Sequence, residues 1–196
     1  MESIKRLSER EARRAYFGMR ERFAGIEMCK HMNWNITGFS DELGFEPWDI
    51  NFIGTGPDAG MNVCEIKVRE HYSSDFPDWI LEKRKWEDIA NISNIVSSLR
   101  TKRKYVHILY DMIVVWDLDK VKKEDFIIEY LASETIYGTN NKKDKEVAKL
   151  LIEKGMIIDY KLDYTKLASD AKAAFTWRYP HNTKDIINIH KYEDNN

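Results

Sequence analysis

The residues that could do chemistry stand in two short stretches. Trp48-Asp49-Ile50-Asn51-Phe52-Ile53 comes before a glycine-bounded turn, Gly54 to Gly60, and Val63-Cys64-Glu65-Ile66-Lys67-Val68-Arg69 follows it. Both read as half-buried strands. Glu65, Lys67 and Arg69 share one face and Cys64, Ile66 and Val68 the other, while Asp49 and Asn51 lie opposite Trp48, Ile50 and Phe52. A hairpin centred near Pro57 sets Asp49 across from Glu65. Carboxylates facing each other across a ladder repel unless a cation or a proton intervenes. A divalent ion is the simplest such cation, because Mg²⁺ takes oxygen ligands, is typically held by one or two carboxylates, and keeps several waters. Lys67 would then lie beside the ion. From there an ammonium orients an attacking water or offsets charge on a phosphorane-like transition state.

An Asp on one strand and Glu-x-Lys on the next resembles the PD-(D/E)XK nuclease superfamily, the restriction-endonuclease-like fold. Asp49, Glu65, Ile66 and Lys67 carry the match, which spans about residues 8 to 118. One departure is Trp48, which stands between Pro47 and Asp49. The resemblance implies a Mg²⁺-dependent endonuclease acting on DNA phosphodiester bonds, with Mn²⁺ able to substitute and a 5′-phosphate left after cleavage. Asp49, Glu65 and the Ile66 carbonyl would be the metal ligands and Lys67 the catalytic amine. An acidic residue from the preceding helix completes the set, with Glu21 favoured and Glu27 in reserve. Lys85, on the following helix, would contact phosphate as an auxiliary, with Arg20 and Arg69 as further basic contacts and Glu82 directed toward the same cleft.

Four elements must position these groups. Ser8-Glu9-Arg10-Glu11 has the capping-box form and opens a helix to about Met32. Its apolar residues make two stripes, Ala12, Ala15, Tyr16, Met19, Phe23 and Ile26 on one side and Phe17, Ala24, Met28 and Met32 nearly opposite, so both sides are expected to be covered. Trp34 to Phe39 reads as a short strand or a loop. Pro77 at a first turn, followed by Asp78, predicts a second helix to about Leu99. Its stripe is Trp86, Ile89, Ile92 and Val96, and Glu82 and Lys85 fall within it, either as an internal ion pair or as groups aimed at the cleft. Tyr105–Tyr110 and Met112–Leu118 read as two strands around Asp111, completing a mixed sheet of at least four. His107, in mid-strand, reads as a satisfied core histidine; the other reading is a base acting through a neighbour.

The predicted class is therefore α/β, a mixed central sheet flanked by helices, with residues 1–118 as the core and 119–196 as a C-terminal α+β extension packed on it. In that extension Phe126 to Leu131 is apolar, Thr139 to Asp144 is a polar loop, and Glu146 to Lys154 predicts a short helix stopped by Gly155. Met156 to Leu162 predicts a strand, Thr165 to Phe175 a helix, and Tyr192 to Asn196 a frayed tail. Trp177-Arg178-Tyr179 reads as surface packing, with base stacking as the other role.

Composition narrows the function. At 196 residues the chain can bury one substantial core. A net charge of −2 argues against a protein that coats nucleic acid non-specifically. Basic residues nevertheless gather in the first helix, at Lys83-Arg84-Lys85 and at Arg100-Thr101-Lys102-Arg103-Lys104. No run approaches the ~20 apolar residues of a membrane span, and the charged start Met1 to Arg6 is no signal peptide, which points to a cytoplasmic protein without a membrane partner. Cys29 and Cys64 lack metal-ligand spacing and read as buried thiols. No repeat, Walker loop or nucleophile elbow is present. Two non-catalytic readings remain beside the nuclease. One is an inactive nucleic-acid-binding or assembly protein of the same fold, and the other an α/β interaction domain in which Asp49, Glu65 and Lys67 form a surface ion-pair network. A homodimer would pair two sites for double-strand cutting, whereas nicking needs one.

Overall fold

The computed structural model describes residues 6–41, 46–76, 78–94, 101–132 and 142–186. Helix α1 (Glu9–His31) begins as its capping box requires. The Ser8 hydroxyl accepts from the Glu11 amide at 3.3 Å, and the Glu11 carboxylate accepts from the Ser8 amide at 2.8 Å. It ends in a Schellman turn: Asn33 takes a left-handed φ of 54°, its amide bonds to the Lys30 carbonyl, and the Trp34 amide reaches back to the Cys29 carbonyl at 2.8 Å.

The main sheet has six strands in the order β1 (Asn35–Phe39), β2 (Ile50–Gly54), β3 (Gly60–Val68), β5 (Lys102–Ile108), β6 (Ile113–Asp117) and β9 (Met156–Ile158). Strand β3 runs antiparallel to β2 and parallel to β5; the other pairs are antiparallel. The β2–β3 register is the expected mirror about Pro57, from Gly54↔Gly60 to Ile50↔Cys64. Between β3 and β5 lie β4 (Asp78–Glu82) and α2 (Lys83–Ala90). Strand β4 pairs with β8 (Lys142–Leu151), and β8 with β7 (Phe126–Ala132), in a second sheet of three strands. Helix α3 (Tyr164–Arg178) is capped by Asp163, whose carboxylate accepts from the Lys166 amide at 2.9 Å.

Three layers result. On one face of the main sheet α1 and α3 bury Ala24, Met28 and Leu167 against Ile50, Cys64, Ile66 and Val106. On the other, the small sheet and α2 bury Trp79, Leu81, Ile89 and Leu150 against Val63, Tyr105, Val114 and Trp116. Both stripes of α1 are covered: Ala24 and Met28 of the second meet the main sheet, and Ala12, Ala15, Tyr16 and Met19 of the first pack on Ala171, Phe175 and Tyr179 of the α3 region. The element order is that of a mixed α/β fold: a helix, then a hairpin carrying Asp49 and Glu65-Ile66-Lys67, then a crossover to a parallel strand.

Two predicted helices are strands in part. Pro77 lies outside the described residues, and residues 78–82 are extended, because Trp79 and Leu81 alternate inward against the sheet and β8 offers a ladder partner; the helix begins only at Lys83 and ends at Ala90. Lys142 to Asp144, expected in a loop, and Glu146 to Leu151, expected in a helix, instead form one strand, because as the central strand between β4 and β7 they gain backbone pairing on both edges and bury Val147, Ala148 and Leu150. Propensity is worth only tenths of a kcal/mol per residue and yields to such pairing. Only residues 152–154 take a helical turn, and it is 3₁₀. Strand β9 stops at Ile158 rather than Leu162. Val96, Leu99, Arg100, the stretch from Thr139 to Asn141 and the tail from Tyr192 lie outside the described residues.

Candidate active site

Strand β2 begins only at Ile50, so β3 from Glu65 onward pairs with β5 alone. The candidate site forms at this half-open edge. Asp49 sits one residue before β2, its amide bonded to the Cys64 carbonyl at 2.8 Å, and its side chain continues the ladder where the backbone has stopped: Oδ2 accepts from the Ile66 amide at 2.6 Å. This leaves Oδ1 with no protein donor among the described residues. Glu65 is 5% exposed, and its Oε1 accepts from both Lys67, at 2.8 Å, and Lys85 of α2. Lys67 in turn holds Glu21 of α1 at 2.8 Å. The helix comes close enough because of Gly25, one turn on. A Cβ there would stand 2.4 Å from Ile66 Cδ1 and 2.9 Å from Ile50 Cδ1.

The result is an alternating chain, Lys85–Glu65–Lys67–Glu21, with Asp49 alongside. Asp49, Glu65 and Lys67 do not titrate as isolated groups. Burial, then Glu21 and Glu65, push the Asp49 carboxyl well above the usual carboxylate range, against the opposing pull of Lys67 and the Ile66 amide. Burial also works against the Glu65 charge, but Lys67 and Lys85 outweigh it and hold that carboxyl below its ordinary value. Burial alone would lower Lys67, and Glu21, Glu65 and Asp49 reverse this and hold it firmly charged.

Arg20 and Arg69 line a cleft of about 220 Å³ beside the site, together with Phe17, Glu21, Glu70 and His71. Arg20 is buried and pairs with Glu70 at 2.5 Å, a contact with no pattern in the sequence to announce it. Glu27 and Glu82 are elsewhere. Glu27 pairs with Lys30 at 2.9 Å where α1 faces Tyr160 and Lys166, and Glu82, exposed at the β4–α2 junction, pairs with Lys145 of β8 at 2.7 Å. The strand at 78–82 explains the second case, since it removes Glu82 from the helical stripe that contains Lys85. His107 is fully buried, but neither ring nitrogen has a hydrogen-bond partner among the described residues. The ring lies among Trp79, Tyr105 and Trp116, and burial, with Arg69, Lys67 and Lys85 nearby, holds it well below the usual imidazole range. Trp177 is 85% exposed near the end of α3, and Tyr179 packs inward on Phe175. Both cysteines are free and buried, with the Cys29 thiol pushed up to about 12 by burial.

No family model and no curated protein matches the chain. Among solved structures, Hjc, a Holliday junction resolvase from the archaeal hyperthermophile Archaeoglobus fulgidus, is similar over 78% of this chain and 95% of its own length, with 11% sequence identity and a TM-score of 0.43. No helix of the described residues is long and apolar enough to cross a membrane.

The residues present fit a hard divalent ion. Asp49 and Glu65 are buried oxygen donors whose mutual repulsion a cation would relieve, and each has an oxygen, Oδ1 and Oε2, without a protein donor among the described residues. No cluster of three or more His, Cys, Asp or Glu among those residues is arranged as a ligand cage. The ligand set would therefore be two carboxylates, a backbone carbonyl and waters, a composition Mg²⁺ accepts and softer metals do not favour.

Proposed function

We propose that this chain is a divalent-metal-dependent endonuclease that hydrolyses DNA phosphodiester bonds, with Mg²⁺ as its ion and Mn²⁺ able to replace it. The observation that supports this reading is the convergence of Asp49, Glu65 and Lys67 at one sheet edge, with Glu21 brought in from α1 to hold the Lys67 ammonium. Asp49 and Glu65, with the Ile66 carbonyl, would hold the ion. When bound, it supplies Lewis acidity toward the phosphodiester.

The remaining work falls to side chains of this chain. Lys67 presents a permanent positive charge beside Glu65, where it orients the attacking water for in-line displacement and stabilises charge developing on the phosphoryl oxygens. Glu21 fixes the direction of that ammonium from the helix side. Arg69, Arg20 and Lys85 contact flanking phosphates, with Arg20 released from Glu70 as a phosphate enters the cleft. Two copies of the chain would cut both strands of a duplex.

A second reading, a DNA-binding or assembly protein without turnover, draws on the saturation of Glu65 Oε1 by two ammoniums. Cleavage assays on single-stranded, duplex and branched DNA with Mg²⁺ or Mn²⁺ separate the two. The nuclease reading expects cleavage by the wild type, its loss in Asp49→Ala together with metal binding, and its loss in Lys67→Ala with metal binding retained. Unchanged cleavage in Lys67→Ala would remove that amine from the mechanism, and absence of any metal-dependent cleavage by the wild type would favour the second reading.

A further inference from the structure

Lys85 and Lys67 donate to the same oxygen of Glu65, but they are not held alike. Lys67 is also fixed by Glu21, and its side chain is 21% exposed. Lys85 stands in the first turn of an eight-residue helix, its side chain is 33% exposed, and Glu65 is its one hydrogen-bond and ion-pair partner among the described residues. A cation entering between Asp49 and Glu65 meets a carboxylate already neutralised by a lysine with an open path to solvent. We infer that Lys85 is a built-in exchangeable counter-ion. It occupies Glu65 while the site is empty of metal, leaves when a divalent ion is taken up, and moves onto a substrate phosphate, so that metal and DNA each favour the binding of the other.

This inference rests on the nuclease reading and deepens it. The exchange keeps the charge of the site balanced at each stage, since one ammonium leaves as the ion enters and a phosphate then receives it. By linkage the coupling is reciprocal: whatever draws Lys85 from Glu65 raises metal affinity, and metal raises affinity for phosphate by the same factor. Removing this competitor should tighten metal binding by about tenfold, equivalent to about 1.4 kcal/mol, which is near the low end of what a charge-assisted hydrogen bond contributes.

The test is Mn²⁺ titration by calorimetry on the DNA-free protein, with binding of a non-cleavable DNA analogue measured in parallel at saturating Mn²⁺ over a series of salt concentrations. Lys85→Met should bind Mn²⁺ about tenfold more tightly than wild type, and its DNA affinity should fall with a salt slope smaller by about 0.9, one phosphate contact. Lys85→Arg keeps the charge and should keep wild-type metal affinity. Lys83→Met, on the same helix but paired with Glu146, should change neither quantity. Should Lys85→Met fold poorly, as judged by circular dichroism, Lys85→Gln replaces it. Equal or weaker Mn²⁺ binding by the neutral variant overturns the exchange while leaving the nuclease reading intact. If neither wild type nor variant takes Mn²⁺, both fail together.

Discussion

Asp49→Asn should make the metal-free protein more stable. Asp49 is 9% exposed, faces two carboxylates and is offset by one ammonium and one amide. With cross-strand side chains about 6 Å apart and an effective dielectric of about 20, each carboxylate neighbour costs roughly 3 kcal/mol and Lys67 returns about as much as one of them. The unbalanced remainder, reduced by solvent and side-chain relaxation, is about 2 kcal/mol. Asparagine removes the charge and keeps a carbonyl to accept from the Ile66 amide. For a chain of this length that is a rise in Tm of about 4–8 °C.

The sign with pH follows from the raised carboxyl. The native state binds a proton where the unfolded state does not, so the wild type loses stability as pH rises from near the unfolded value through the folded one. The Asn variant lacks that loss. Its advantage in EDTA should be full above the folded pKa and shrink as pH falls through it toward the ordinary Asp value. Mg²⁺ should then raise the wild-type Tm and leave the variant unmoved. Scanning calorimetry at several pH values, with EDTA and with Mg²⁺, measures all of this. A variant less stable than wild type at neutral pH in EDTA, or a gap that does not narrow in acid, would refute the account of a crowded acidic site.

Three further outcomes follow from the packing. Gly25→Leu places side-chain atoms where Ile50 and Ile66 already stand; it should cost about 1–3 kcal/mol in denaturant unfolding and reduce cleavage by moving Glu21 from Lys67. Lys104 is buried against Asp58 at 2.6 Å, tying the β2–β3 turn to β5, so Lys104→Met should destabilise by about 3–5 kcal/mol and the double variant with Asp58→Asn should recover much of that loss. Glu82→Gln, at an exposed pair with Lys145, should leave cleavage unchanged and stability within about 1 kcal/mol, checked by nuclease assay and thermal melt.

Much of the local order was legible because it depends on neighbours in sequence. The Ser8–Glu11 capping box, the hairpin register about Pro57 and the two-sided burial of α1 follow from spacing alone, since capping, turn geometry and helical period are set within a few residues. The alternation that put Glu65 and Lys67 on one face is of the same kind, and in the structure their side chains meet. Distant partners were not legible. Residues 78–82 and 146–151 carry patterns compatible with a helix, and each became a strand because the other lay beside it, a pairing separated by more than sixty positions in the chain. That change moved Glu82 onto Lys145 and left Lys85 to reach Glu65, so two charges sharing one apparent stripe ended in different places. Sequence determined which groups stand on the face of the hairpin, because a strand's pleat is a local property. Only the tertiary structure decided which ammonium meets which carboxylate, because ion pairing and desolvation depend on what other elements bring within a few ångströms.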